Sequence, residues 1–208
     1  MKDEILQTAL RQFLKFGIRK MSIQKLIAPL GISTKTVYKY FKNKEELLEG
    51  VLHLHYTQQY HLLENHSADQ NVVPLIIDIW YMAVEREYSV NNTFFKDLHY
   101  YYPELERKIE AALGQKIWLQ IQQIVQKGIK EGVFREDIYP KAAMEGIAVL
   151  YNAVARTGQF KRFRVSPYEI FLNTIALYIR GFCTRKGINE LDKHILTLKP
   201  FGRIKLAK

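Results

Sequence analysis

The chain has 208 residues, 48% of them hydrophobic, enough to bury a sizeable core in one or two domains, and it carries a formal net charge of +10. Its single cysteine, Cys183, excludes an intrachain disulfide and suits a reducing compartment. No signal sequence is recognisable and no apolar run approaches the ~18 residues of a membrane span, so a cytoplasmic protein without a membrane partner is expected. The charge is uneven: the first 50 residues hold ten Lys or Arg against five Asp or Glu, about three times the net positive charge per residue of the remainder. A polyanion partner is favoured.

Ile5, Leu6, Ala9, Leu10, Phe13 and Phe16 recur at helical spacing and end at Gly17, which predicts a first helix over about 2–16. Ser22 is placed to cap a second helix, whose Ile23, Leu26, Ile27 and Leu30 stand at i, i+3, i+4 and i+7 and so share one face. Gly31 suits the left-handed exit from that helix, and Ser33 then caps a third running to about Tyr40. Within it Val37 and Tyr40 are expected to face inward with Ile32. Thr34, Lys35, Thr36, Tyr38 and Lys39 are left outward, a face of hydroxyl and ammonium donors suited to phosphates and base edges, with no acidic group. This is the pattern of a helix-turn-helix; a helical hairpin with a solvated basic face is the plainer alternative. Asn43 and Glu46 form a capping-box pattern that starts a fourth helix, about 44–64.

Phe13, Gly17, Ser22, Gly31, Ile32, Ser33, Thr36, Val37, Tyr38, Tyr40, Phe41, Lys44, Glu45 and Leu47 together resemble the amino-terminal domain of TetR-type (tetracycline-repressor-like) transcriptional regulators, over about residues 5–50. The resemblance implies an all-α fold, with a three-helix helix-turn-helix DNA-binding domain at 1–47 and a helical ligand-binding and dimerisation domain at 48–208. It implies that Tyr38 and Lys44 contact backbone phosphates, that residues 33–39 read the major groove and that Phe41 anchors the recognition helix. The expected DNA-binding set is Ser22, Ser33, Thr34, Lys35, Thr36, Tyr38, Lys39 and Lys44. Three positions depart from the family pattern. Ile27 stands where a small Ala is usual at the helix crossing, Pro29 falls in the last turn of the first motif helix, and Tyr40 replaces a commoner His.

Beyond residue 50 the pattern stays helical, and no strand is expected. Residues 65–73 read as a polar connection. Pro74 is expected to open a helix to about Tyr88, Asn91 or Asn92 to cap a shorter one, and a long helix to run from Pro103 to about Glu131, stopped by Gly132. The segment from Gly128 to Ala143 is also similar to the ligand domain of TetR-type proteins. The next two helices, about 140–157 and 167–186, are the expected homodimer interface. The second opens with the capping pattern Ser166-Pro167-Tyr168-Glu169. Ile147, Ala148, Leu150, Tyr151 and Val154 on one, and Ile170, Phe171, Thr174, Ile175, Leu177 and Tyr178 on the other, give broad apolar faces that would form a four-helix bundle with a second copy, unless they pack inside one subunit. Two-fold symmetry would imply a pseudo-palindromic operator. Residues from Arg185 to Lys208 read as a basic, partly ordered tail that contacts the bundle or DNA.

The resemblance further implies a small-molecule effector. The candidate ligand residues are Trp80, Tyr81, Phe95, His99, Trp118 and Tyr151, which suit an aromatic or apolar molecule, although aromatics at helical spacing equally serve as core. His53, His55, His61 and His66 fall on or just after the fourth helix without an i, i+4 pair, so no metal site is expected. No nucleophile–base pattern or phosphate loop occurs, so neither cofactor nor catalysis is expected. Cys183 is expected to be a buried, inert thiol. The functional expectation is a TetR-type repressor that binds its operator as a homodimer under effector control. The alternative is a basic all-helical interaction protein that binds RNA or protein without operator specificity.

Overall fold

The computed structural model describes residues 1–64 and 70–200, the side chains of 58–64 excepted. His66, the side chain of His61, most of the expected connection at 65–73 and the tail beyond residue 200 lie outside the described residues. In chain order the helices are α1 (Lys2–Phe16), α2 (Ile23–Ile27), α3 (Thr34–Tyr38), α4 (Lys44–Glu64), α5 (Val72–Tyr88), α6 (Asn92–Tyr101), α7 (Pro103–Ile109), α8 (Gln115–Lys130), α9 (Pro140–Tyr151), α10 (Pro167–Phe171), α11 (Leu177–Gly181) and α12 (Arg185–Ile195). Among the described residues the only extended pairing is an isolated antiparallel bridge between Phe134 and Cys183.

Packing divides the chain into two compact units that interleave in sequence, where a single cut between 47 and 48 was expected. One comprises Met1–His61 with Val90–Lys116; the other comprises Leu62–Ser89 with the chain from Ile117 onward. The first, the headpiece unit, has a core of Ile5, Phe13, Leu26, Val37, Leu47 and Leu52, joined by Phe94, Leu98, Leu105 and Ile109 from α6 and α7. Phe16 does not join it. It lies at the last position of α1, 44% exposed, under the Lys15 ammonium.

The second unit is built on α5 and α8–α12, around Ile76, Trp80, Val125, Phe134, Ile147, Phe171 and Leu191. α5 begins two residues before Pro74, because the Asn71 carboxamide oxygen accepts the Val73 N–H at 3.0 Å and so caps the helix earlier. The long helix from Pro103 is continuous but contains a π-turn at Glu110–Gly114. It ends at Gly132, whose φ of 68° lets the N–H groups of Val133 and Phe134 both reach the Gly128 carbonyl. α9 continues through a π-turn at Asn152–Arg156, and α10 joins α11 through another at Leu172–Ala176. Ser166 and Glu169 form the expected reciprocal capping box, with Pro167 at the first helical position.

The helix expected to reach residue 186 stops at Gly181, because Thr184 caps a new helix: its hydroxyl oxygen accepts the Gly187 N–H at 3.3 Å. The part of the expected tail from Arg185 to Ile195 is therefore a regular helix packed on the second unit. It buries Leu191 and passes so close to the preceding loop that a Cβ on Gly187 would lie 2.1 Å from the Val133 carbonyl oxygen. Near the end of α5, Glu87 is fully buried and accepts two hydrogen bonds from the Arg156 guanidinium, at 2.7 and 3.2 Å.

Cys183 is 5% exposed, its Sγ donates to the Ile179 carbonyl, and burial pushes its thiol up to about 12. A thiol is a nucleophile only as thiolate, so the native protein at pH 8 should resist iodoacetamide under conditions that alkylate the unfolded chain. Rapid alkylation of the folded protein would contradict this assignment. Among the described residues no helix is long and apolar enough to cross a membrane.

Candidate nucleic-acid interface

The two motif helices meet through a tightened turn. α2 stops being α-helical at Ile27, and Ala28–Leu30 forms a 3₁₀ turn with Pro29 near its start, where a missing amide hydrogen costs little. Ile27 is buried at the crossing and is accommodated there. Gly31 takes the left-handed conformation at φ 63°, as the sequence predicts. Ser33 then turns extended, and its Oγ accepts the Thr36 N–H at 3.2 Å to begin α3.

Val37 and Phe41 hold α3 to the core, both buried. Tyr40 is 39% exposed, against expectation, because α3 ends at Tyr38 and the Tyr40 N–H bonds to the Val37 carbonyl in a tighter turn that breaks the helical phase. The outward face carries Tyr38, 54% exposed, with Lys35 and Lys39 exposed and Thr34 and Thr36 half-buried. Ser22 is exposed at the start of α2. Its Oγ accepts the Lys25 N–H, which leaves the hydroxyl hydrogen to donate outward. From Ile5 to Lys44 the chain contains no acidic residue, so nothing in this segment opposes an approaching phosphate.

Lys44 is half-buried. Its ammonium donates to the Ile18 carbonyl at 2.6 Å and sits 6.0 Å from the Phe13 ring centroid. Burial holds this amine below the ordinary lysine range, with the Asp97 charge acting in the opposite direction. The remaining N–H donors of the ammonium are available for a further partner. At the start of α4 the Asn43 carboxamide oxygen accepts the Glu46 N–H at 2.8 Å. The Glu46 carboxylate reaches back to the Lys42 N–H, one residue beyond the reciprocal partner a capping box predicts.

The sequence reading missed what holds the loop between α1 and α2. Asp97 on α6 is buried, and its Oδ2 accepts the N–H groups of Ile18 at 2.8 Å and Arg19 at 2.7 Å. Asn91 donates through its backbone to the Leu14 carbonyl and through its side chain to that of Lys15. Gly17 lets α6 approach: at φ 83° a Cβ there would lie 2.9 Å from the Thr93 methyl and 3.0 Å from the Asp97 carboxylate. The Arg19 guanidinium stacks 4.5 Å over the Tyr101 ring and donates to its hydroxyl. α6 therefore fixes the loop that leads into Ser22 and α2.

The six candidate ligand residues fall in both units. Trp80 and Tyr151 are buried in the second unit with ring centroids 5.5 Å apart, and the buried Trp80 indole N–H has no hydrogen-bond partner among the described residues. Tyr81 is half-buried, edge-on to Phe171, with its hydroxyl donating to the Lys199 carbonyl. Trp118 is 37% exposed. Phe95 and His99 belong to the headpiece unit, where Phe95 packs edge-on against Phe94 and His99 lies 3.1 Å from the Glu106 carboxylate.

A capped helix-turn-helix with a basic, hydroxyl-bearing outer face, in an all-helical chain of two units, is the arrangement of a helix-turn-helix protein. Residues 5–51 match the family model described as bacterial regulatory proteins, tetR family. The amino-terminal segment therefore matches a TetR-family domain, and the fold of the chain is similar to that of TetR-family regulators. Its fold is similar to that of a TetR-family transcriptional regulator from Marinobacter aquaeolei VT8, with a TM-score of 0.74 at 16% identity over 93% of this chain and 98% of that one. The reduced form of E. coli NemR gives 0.73 at 15% identity over 88% and 96%. The fatty acid degradation regulator FadR from Bacillus halodurans gives 0.66 at 16% identity over 85% and 93%. No curated protein sequence matches the chain.

Proposed function

We propose that the protein is a transcriptional repressor that binds a pseudo-palindromic DNA operator as a homodimer, with affinity set by a small-molecule effector. The observation that carries this reading is the outer face of α3: Lys35, Tyr38 and Lys39 stand exposed beside Thr34 and Thr36, on a segment free of acidic residues from Ile5 to Lys44. Such a face donates hydrogen bonds to phosphates and to acceptor groups in the major groove. Ser33–Lys39 then read base edges, while Ser22, Tyr38 and Lys44 hold the backbone. The division of labour at residues 47 and 48 is one of function, with α4 continuing from the reader into the regulatory part of the chain.

Ile147, Tyr151, Val154, Ile170, Phe171 and Ile175, expected at the interface, are buried in the subunit's own core, and it is exposed Val149 on α9 and exposed Leu177 and Tyr178 on α11 that leave apolar surface for a dimer. The effector reading rests on the aromatic set Trp80, Tyr81, Trp118 and Tyr151. An effector changes DNA affinity only by binding one conformation of the dimer better than another, and the grip of Asp97 on the loop before α2 is one contact such a choice would alter. The reducing cytoplasm suits both the lone thiol and the DNA partner.

Variants test the assignment. Tyr38→Phe and Lys44→Ala should weaken binding to every duplex alike, whereas changes at Thr34, Lys35 or Thr36 should alter sequence preference, with a base-contact loss of about 1–3 kcal/mol. The measurement is affinity for a selected and a random duplex at matched salt. Equal loss on both duplexes for all five positions would overturn the reading.

A further inference from the structure

The connection between α9 and α10 is a basic segment that the reader helix does not use. From Thr157 to Tyr168 the chain carries Lys161, Arg162 and Arg164 and no acidic residue. The segment is built, not loose. Gly158 turns the chain at φ 73°, Gln159–Arg162 forms a 3₁₀ turn, and the Phe163 N–H bonds to the Phe160 carbonyl. Phe160 packs on the core of the second unit, and the Lys161 ammonium sits 5.3 Å over the Tyr88 ring.

With Phe160 and Lys161 used as anchors, Arg162 and Arg164 are left exposed. Arg162 lies over the ring of Phe163, and neither arginine has a carboxylate partner among the described residues. Arg135 and Arg180 of the same unit, by contrast, hold Asp137 and Asp192. Two unneutralised guanidinium groups on a pinned loop form a contact for polyanion phosphates.

We propose that Arg162 and Arg164 contact the phosphate backbone of duplex DNA, outside the helix-turn-helix. This inference rests on the DNA-binding reading above. The test compares the full-length wild type with R162A/R164A on a 30-bp random-sequence duplex between 50 and 200 mM salt, where each neutralised phosphate contributes about 0.9 to the slope of log affinity against log salt. Removing both arginines should make the slope shallower by about 1.8 per protomer, and R162K/R164K should restore most of it. A wild type with no salt-dependent duplex binding would remove both the proposed function and this inference. Normal wild-type binding with an unchanged slope for the alanine variant would remove this inference alone. So would loss of binding to phosphatidylglycerol vesicles by the alanine variant with its DNA slope intact, which would assign the loop and its exposed Phe163 and Val165 to an anionic lipid surface.

Discussion

Replacing Asp97 by alanine should destabilise the headpiece unit by about 3 kcal/mol and weaken DNA binding to all sequences together. The carboxylate is the acceptor for two backbone N–H groups at the junction of α1 and α2. A hydrogen bond to a charged group contributes about 1.5–3 kcal/mol, and a buried donor left without a partner costs about 1–3 kcal/mol, so even partial rescue by water leaves a large loss. Asp97→Asn retains an acceptor oxygen and should lose about half as much. Gly17→Ala strikes the same junction from the other side, because its φ of 83° strains any side chain and its Cβ would press on Thr93 and Asp97. Urea denaturation read from the headpiece checks these values. An Asp97→Ala midpoint equal to wild type would show that α6 does not secure the loop.

Arg156→Met should be the most damaging single change in the second unit, at about 3–5 kcal/mol. It removes two hydrogen bonds and the opposite charge from the Glu87 carboxylate, which is fully buried. The cation also lies 5.3 Å over the Tyr151 ring, so packing is lost with the charge. Replacing both partners, as E87M/R156M, should recover much of the loss, because a buried pair repays little more than its own desolvation. Thermal unfolding of the single and double variants decides the matter. A single variant as stable as wild type would contradict the assignment.

The helix-turn-helix was legible because its signals are local. The spacing of Ile23, Leu26 and Ile27, the left-handed Gly31, the Ser22 and Ser33 caps and the buried Val37 all lie within about four turns of chain, and the structure places each as the spacing requires. The inward assignment of Tyr40 failed because apolar periodicity cannot show that a helix tightens and ends two residues early. The π-turns at Glu110–Gly114, Asn152–Arg156 and Leu172–Ala176 were invisible for a related reason: one extra residue per turn leaves a broad apolar face looking much the same. α12 was read as tail because its lysines and arginines mask Leu191 and a Thr184 cap that only the fold reveals. Asp97 joins residues 78 and 79 positions away, and no local pattern distinguishes an aspartate that caps a distant loop from one that faces water. Its one trace in the sequence is Gly17, a position that excludes a side chain and so marks a close approach by something.

The central claim, that α3 of a symmetric dimer reads duplex DNA, is tested most directly by selecting bound duplexes from a random pool with purified protein at ~150 mM salt, where purely electrostatic binding is weak. The account predicts enrichment of an inverted repeat with half-site centres one helical turn, or a multiple of it, apart. A folded protein that enriches no sequence, or enriches only an unpaired single site, would contradict it.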